Sequence, residues 1–233
     1  MNMRNWFHFS DAELNAIGLS LRVALWCSVL ILPLAIFLAW YLARKSFRGK
    51  PLIEGLINLP LVLPPVATGF VLLLLFGTKG IIGSWLFDWF GIRIAFTFYA
   101  AVLASMIVAF PLAVRAIRLS IEMVDPGLEA AAKTLGANSF QSFMRITLPL
   151  ALPGIISGFV LTFARSLGEF GATIIFAGNI SGETQTIPLA LFSQIQIPGQ
   201  ETAAFRLLMV AVIFSFSAMV ISEYLVKKVH ERR

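Results

Sequence analysis

The chain has 233 residues, 58% of them hydrophobic and 13% charged, with a formal net charge of +6. A soluble domain averages roughly 45–50% apolar and about 25% charged residues, so the composition excludes a water-facing globule and makes the bilayer the solvent. One cysteine, Cys27, rules out a disulfide framework or a multi-cysteine metal site, and two histidines at opposite ends, His8 and His230, argue against a histidine cluster. The 18 Lys and Arg are scattered between apolar runs, a pattern of membrane topology and not of a nucleic-acid surface.

A helix crosses a hydrocarbon core of roughly 30 Å with about 20 apolar residues. Five stretches supply them, over residues 17–42, 57–76, 94–114, 148–176 and 203–226. The first follows a polar start containing Asp11 and Glu13 and is longer than a signal-peptide core, so no cleaved leader is expected. The second carries Pro60, Pro64 and Pro65. Proline frees a carbonyl and kinks a helix, which a membrane tolerates only where something satisfies that group. Pro64 and Pro65, with Thr68 and Gly69 one turn later, mark the expected helix break beside a permeation path, static packing being the alternative.

The fourth stretch is long enough to be tilted, or broken near Gly168 and Gly171, and its Gly154 and Gly158 form a GxxxG pair suited to close helix packing. Ionisable groups inside a span are functional candidates by default. Arg165 and Glu169 are four apart and share a helical face, with Ser166 and Thr173 as neighbouring polar candidates. Counted from Leu148 at ~1.5 Å per residue, Arg165 falls roughly 25 Å up the axis, toward the outer mouth. A pathway role and a structural ion pair both fit. Arg22, Glu54 and Glu223 lie near interfaces where long side chains snorkel, as does Arg206 on the outer side. The last loop holds a short apolar stretch, 188–195, with Thr186 placed to begin a small helix; a docking surface and a plain connector are equal readings of it.

Basic residues in short loops stay on the cytoplasmic side. Arg44, Lys45, Arg48 and Lys50 occupy the first loop, Arg115, Arg118, Lys133 and Arg145 the third, and Lys227, Lys228, Arg232 and Arg233 the tail, against only Arg4, Lys79 and Arg93 on the other side. This asymmetry puts the N-terminus outside and the C-terminus inside. The third loop, about 115–147, reads as two short helices. Asp125 caps the first, Pro126 opens it and Gly136 stops it; Ser139 is placed to cap the second, which carries Phe140, Phe143 and Met144. Ala130, Ala131 and Ala132 let a partner's groove approach the helix axis, although an alanine-rich connector would look the same.

The string Glu129-Ala130-Ala131-Ala132-Lys133-Thr134-Leu135-Gly136, followed after nine residues by Ile146-Thr147-Leu148-Pro149, resembles the EAA loop of ABC-importer permeases. Glu129 stands seven residues before Gly136 where six is usual, so Ala130 holds the usual glutamate position. Glu129 then points about 100° from the usual direction, and apolar packing is expected to carry more of the coupling than a Glu129 salt bridge. The segments 59–69, 114–118 and 163–188, above all Arg165-Ser166-Leu167-Gly168-Glu169-Phe170-Gly171-Ala172-Thr173, resemble the molybdate branch of that family; sulfate permeases share Gly-Glu-Phe-Gly.

The resemblance implies an all-α, type I ABC importer permease of about five transmembrane helices, a single permease domain over 1–233. It further implies a bacterial inner-membrane homodimer with its path on the two-fold axis, two cytoplasmic ATPase subunits, and a periplasmic molybdate-binding protein. No GxxxxGK[ST] loop occurs in the chain, so ATP and Mg are expected to be used by the partner and no cofactor by this subunit. Sulfate, tungstate and thiosulfate stay open as substrates. A membrane enzyme lacks HExxH, paired histidines or a nucleophile with its base. An ion-coupled secondary transporter would show repeats and midplane carboxylates, neither of which is clear in the sequence.

Overall fold

The computed structural model describes residues 9–231, the side chains of 229–231 excepted, so Arg4, His8, Arg232, Arg233 and the His230 side chain lie outside the described residues. Helix α1 (Asp11–Arg44) opens on a reciprocal cap: the Ser10 hydroxyl accepts from the Glu13 N–H, and the Glu13 carboxylate accepts from the Ser10 N–H at 2.7 Å. Helices α2 (Lys50–Val62) and α3 (Pro65–Phe76) meet at 112°. The break falls where the sequence puts it, because Leu63 and Pro64 are both extended, with ψ of 141° and 132°, and a residue before proline avoids the helical region. Helix α4 (Ile81–Phe90) is short and ends at Gly91, in the left-handed region.

Helix α5 (Phe98–Glu122) is the centre of the bundle, with small residues such as Ala101, Ala104, Ala109 and Ala113 buried along it. Helix α6 (Pro126–Thr134) follows, then α7 (Ser139–Ser142), which passes through a π-helical turn (Phe143–Thr147) into α8 (Leu148–Leu150). Helix α9 (Leu152–Leu167) is bent by 68° from that segment. Short helices α10 (Gly171–Phe176) and α11 (Ile187–Ile195) precede the long α12 (Glu201–Glu231). Helices α1, α5 and α12 are each long and apolar enough to cross a membrane, and counting each of the two bent pairs as one span brings the crossings up to five.

Helices α1, α5 and α9 form the core. One apolar cluster joins Val23 with Leu72, Ala101, Val108 and Phe176, and a second joins Ile31 and Leu42 with Ile117, Ile121 and Ala151. Gly154 and Gly158 are where α9 meets α5. A Cβ at Gly154 would run into Ser120 and the Ala116 carbonyl, and one at Gly158 would lie 3.1 Å from Ile117, so the pair does what small residues do at membrane helix contacts.

The N-terminal ends of α1 and α12 are tied together. Arg206 donates from Nε and Nη2 to both oxygens of the Glu13 carboxylate at 2.9–3.1 Å, with Glu13 fully buried. The first and last crossings therefore run in the same direction, as five crossings require. Arg206 is thus a buried clamp and not the snorkelling residue expected from its position. Glu54 likewise meets Arg118 at 2.7 Å, and Arg118 also bonds Glu122.

The fourth apolar stretch departs from a single crossing. Leu152–Leu167 is one helix of 16 residues, ~24 Å long. After a break at residues 168–170, α10 runs alongside α3, and its Phe176 carbonyl accepts from the Phe96 N–H just before α5. The chain then returns inward, since the Ile187 N–H at the start of α11 donates to Ser20 Oγ, more than two turns into α1. Residues 168–195 fold back on the bundle, α10 against α3 and α5 and α11 against α12 and α1.

Candidate functional site: an apolar loop corner and a broken helix junction

The cytoplasmic corner is built by its caps. Asp125 accepts from the Gly127 N–H at 2.8 Å, and Pro126 occupies the first turn of α6. Gly136 has φ of +90°, a conformation costly to any residue with a Cβ, and the Ala137 N–H closes back on the Ala132 carbonyl at 3.0 Å. The second helix is capped by Asn138 and not by Ser139. Asn138 Oδ1 accepts from the Gln141 N–H while the Gln141 side chain accepts from the Asn138 N–H. The longer side chain one residue earlier reaches the third amide, leaving Ser139 as the first helical residue.

This corner presents apolar surface to water. Leu135 is 89% exposed, Phe140 67% and Met144 44%. Ala130 and Ala131 are exposed, Ala132 is half-buried, and Gly136 lies open between the two helices. Ile146 and Leu148 are half-buried at the return to the bundle, with Pro149 exposed beside them. These side chains form an exposed apolar patch on an otherwise charged loop.

Glu129 faces its own chain. Its Oε1 accepts from Arg44 Nε at 2.9 Å and from the Thr147 hydroxyl at 2.7 Å, and Arg44 Nη2 lies 2.8 Å from it while donating to the Val124 carbonyl at 2.9 Å. A carboxylate engaged by Arg44 and Thr147 of its own chain is turned away from a partner, in line with the expectation that Glu129 supplies no ATPase salt bridge. Displaced by one position, it reaches back to the end of α1.

The broken junction of the bundle is assembled from α3, α9 and α10. Pro64 and Pro65 are exposed at the elbow, whereas Thr68 is buried one turn on. Gly69 and Gly171 let the two broken elements interlock: a Cβ at Gly69 would lie 2.6 Å from the Ala172 carbonyl, and one at Gly171 would meet Pro65. Ser166 is buried and packs against the Cys27 thiol. Cys27 stands 16 residues from Asp11 and 17 from Arg44, which places it within ~2 Å of the middle of α1. Arg44 shares the Glu129 carboxylate with Thr147, and 17 residues of α1 separate it from Cys27, so Arg165 and Glu169 lie ~25 Å above the cytoplasmic corner, the height that the count from Leu148 gives.

Arg165 Nη1 is 2.8 Å from Glu169 Oε2, with Arg165 about one-third exposed and Glu169 buried. Glu169 Oε1 also accepts from the Ala172 N–H at 2.8 Å, so the carboxylate caps α10 as well as pairing. The Thr173 hydroxyl is spent within its own helix on the Phe170 carbonyl at 2.9 Å. The Thr68 hydroxyl is buried without a hydrogen-bond partner in the protein, and the buried Ser166 hydroxyl has only the Cys27 thiol beside it. Arg44, Thr147, Glu13 and Arg206 were not marked by sequence reasoning as site residues. Their partners lie 85 and 193 positions away for the two ion pairs, and no local pattern announces such pairings.

Up to five crossings, a broken helix junction and an exposed apolar corner define a multi-pass α-helical membrane protein. The family model described as "Binding-protein-dependent transport system inner membrane component" matches residues 31–231, and the chain belongs to that family of inner-membrane permease subunits. The chain is 56% identical over 220 residues to the molybdenum transport system permease protein ModB of Haemophilus influenzae, covering 94% of this chain and 96% of that one. It is 52% identical over 223 residues to the ModB of Escherichia coli K12, covering 96% and 97%. The sulfate transport system permease protein CysT of Escherichia coli K12 is 36% identical over 185 residues, covering 78% and 66%. Among solved structures, a bacterial ABC transporter importing the acidic polysaccharide alginate matches with a TM-score of 0.74 at 16% identity, covering 97% and 82%. The MetNI methionine ABC transporter in an inward-facing form matches at 0.70 and 17%, covering 98% and 99%.

Proposed function

We propose that this chain is the membrane permease of an ATP-driven importer that carries molybdate inward across the bacterial inner membrane. It works as a homodimer, with two ATPase subunits on the loop 125–149 and a molybdate-binding protein on the outer side. The observation that carries the reading is the exposed apolar corner around Gly136, in a chain more than half identical to molybdenum permeases over nearly all its length. ATP hydrolysis is assigned to the separate ATPase, since the chain has no P-loop sequence.

In this reading ATP-driven closure of the ATPases moves the corner, and the break between α2 and α3 opens or closes the path. A tetrahedral dianion leaving its hydration shell needs polar donors and no opposing charge. The buried Thr68 and Ser166 hydroxyls supply donors, and the neutralised Arg165–Glu169 pair keeps the Glu169 charge from repelling the anion. The test is energisation: molybdate uptake through the purified complex tracks internal or external ATP according to the orientation of the ATPase and ignores an imposed proton gradient. Uptake driven by the gradient without ATP rejects the proposal in favour of an ion-coupled carrier.

A further inference from the structure

The joint at the cytoplasmic end of α1 has a mechanical consequence beyond docking. Helix α6 contains no buried residue, so apolar packing does not hold it to the bundle. Its attachment is polar. The Glu129 carboxylate, 14% exposed, is held by Arg44 and by Thr147, which is fully buried, while Ser142 Oγ reaches the Glu129 carbonyl at 3.5 Å and Arg44 also holds the Val124 carbonyl before α6. Thr147 reaches Glu129 from the last residue of the π-helical turn. Such a turn holds one residue more than an α-turn and rotates the helix beyond it. Both halves of the loop thus meet at the Glu129 carboxylate, which Arg44 ties to the end of α1. From there α1 is a continuous 34-residue helix that passes Ser166 at its midpoint.

We infer that Arg44, Glu129 and Thr147 form the joint that transmits displacement of the loop to α1, and that Glu129 acts as a positioning residue within its own chain and not as an ATPase contact. The inference rests on the reading of the loop as the ATPase-docking element. Charge-assisted bonds of this kind are short, directional and among the stronger polar contacts, and a loop so tied moves with α1 as one body. Loosened, the loop still binds the ATPase but no longer moves the membrane helices with it.

The test uses the reconstituted permease with its ATPase and binding protein, and reads molybdate transported per ATP hydrolysed. Glu129→Gln and Arg44→Gln should each leave the ATPase co-purifying and hydrolysing ATP while lowering that ratio about tenfold. The double variant should lose no more than either single, because the three residues act as one unit. Thr147→Val, which nearly preserves shape, should lower the ratio about threefold, and it carries the test if either charge variant does not reach the membrane. An unchanged ratio in these variants with the ATPase bound overturns the joint. Losses that multiply in the double variant also overturn it, since they place the two residues in separate roles. Failure of the unaltered permease to retain the ATPase overturns the docking reading instead.

Discussion

Glu169 does two jobs with two oxygens, and substitutions separate them. Glu169→Leu removes the acceptor of the Ala172 N–H, leaving a buried donor unpaired at about 1–3 kcal/mol, and it strands Arg165. Breaking a fully buried ion pair costs about 3–5 kcal/mol, but Arg165 is about one-third exposed, so its share is discounted to about 1–2 kcal/mol. The sum is about 2–5 kcal/mol, or roughly 4–20 °C in melting temperature for a domain of this size. Glu169→Gln keeps an oxygen for the Ala172 N–H and should cost only about 1–2 kcal/mol. Arg165→Leu with Glu169→Gln should then return most of the stability, because no charge is left without its partner. Thermal unfolding of the detergent-solubilised protein, followed by tryptophan fluorescence, reads all three. A Glu169→Leu variant as stable as the parent would refute the capping role. A double variant no better than Arg165→Leu alone would refute the pairing. Uptake by the double variant then separates the remaining roles: recovered stability without recovered uptake assigns Arg165 to the path, and full uptake makes the pair structural.

Three further outcomes are expected. Gly136→Val forces a β-branched residue into φ of +90°, and should abolish ATPase co-purification while the permease still inserts; normal co-purification would remove the corner from the docking surface. Gly158→Leu inserts a branched side chain against Ile117, and should lower the folded level in the membrane severalfold, whereas Gly18→Leu, where a Cβ meets nothing within 4 Å, should not; equal levels would contradict the α5–α9 contact. Reporter fusions at Gly49, Gly83, Gly136 and Gly182 should alternate inside, outside, inside, outside, and a cytoplasmic Gly182 would break the topology.

The range of the forces involved decides which features are legible in the sequence. Hydropathy is a local sum, so the five apolar stretches can be read directly, and Pro64–Pro65 and Gly136 are local backbone constraints that show themselves by residue type. The break near Gly168 and Gly171 is legible as an alternative to a tilted helix, whereas the path of the chain beyond it is not, because an apolar run looks the same whether it crosses the bilayer or turns back over a neighbouring helix. The shift from Ser139 to Asn138 as the second cap reflects two good capping residues in adjacent positions, which the Gln141 partner decides. The ion pairs of Glu129 with Arg44 and of Glu13 with Arg206 depend on helix register across the bundle. Each residue is visible as a charge near a helix end, and only packing supplies its partner.

The proposed function requires that ATP hydrolysed beneath the cytoplasmic corner drive an oxyanion through this chain. Accumulation of radiolabelled molybdate decides it, in proteoliposomes holding the permease and its ATPase, with the binding protein on the uptake side and ATP on the ATPase side. Uphill accumulation that needs hydrolysable ATP and persists in excess sulfate is the expected result. Accumulation of sulfate in preference to molybdate, or equal molybdate movement without ATP, would contradict it.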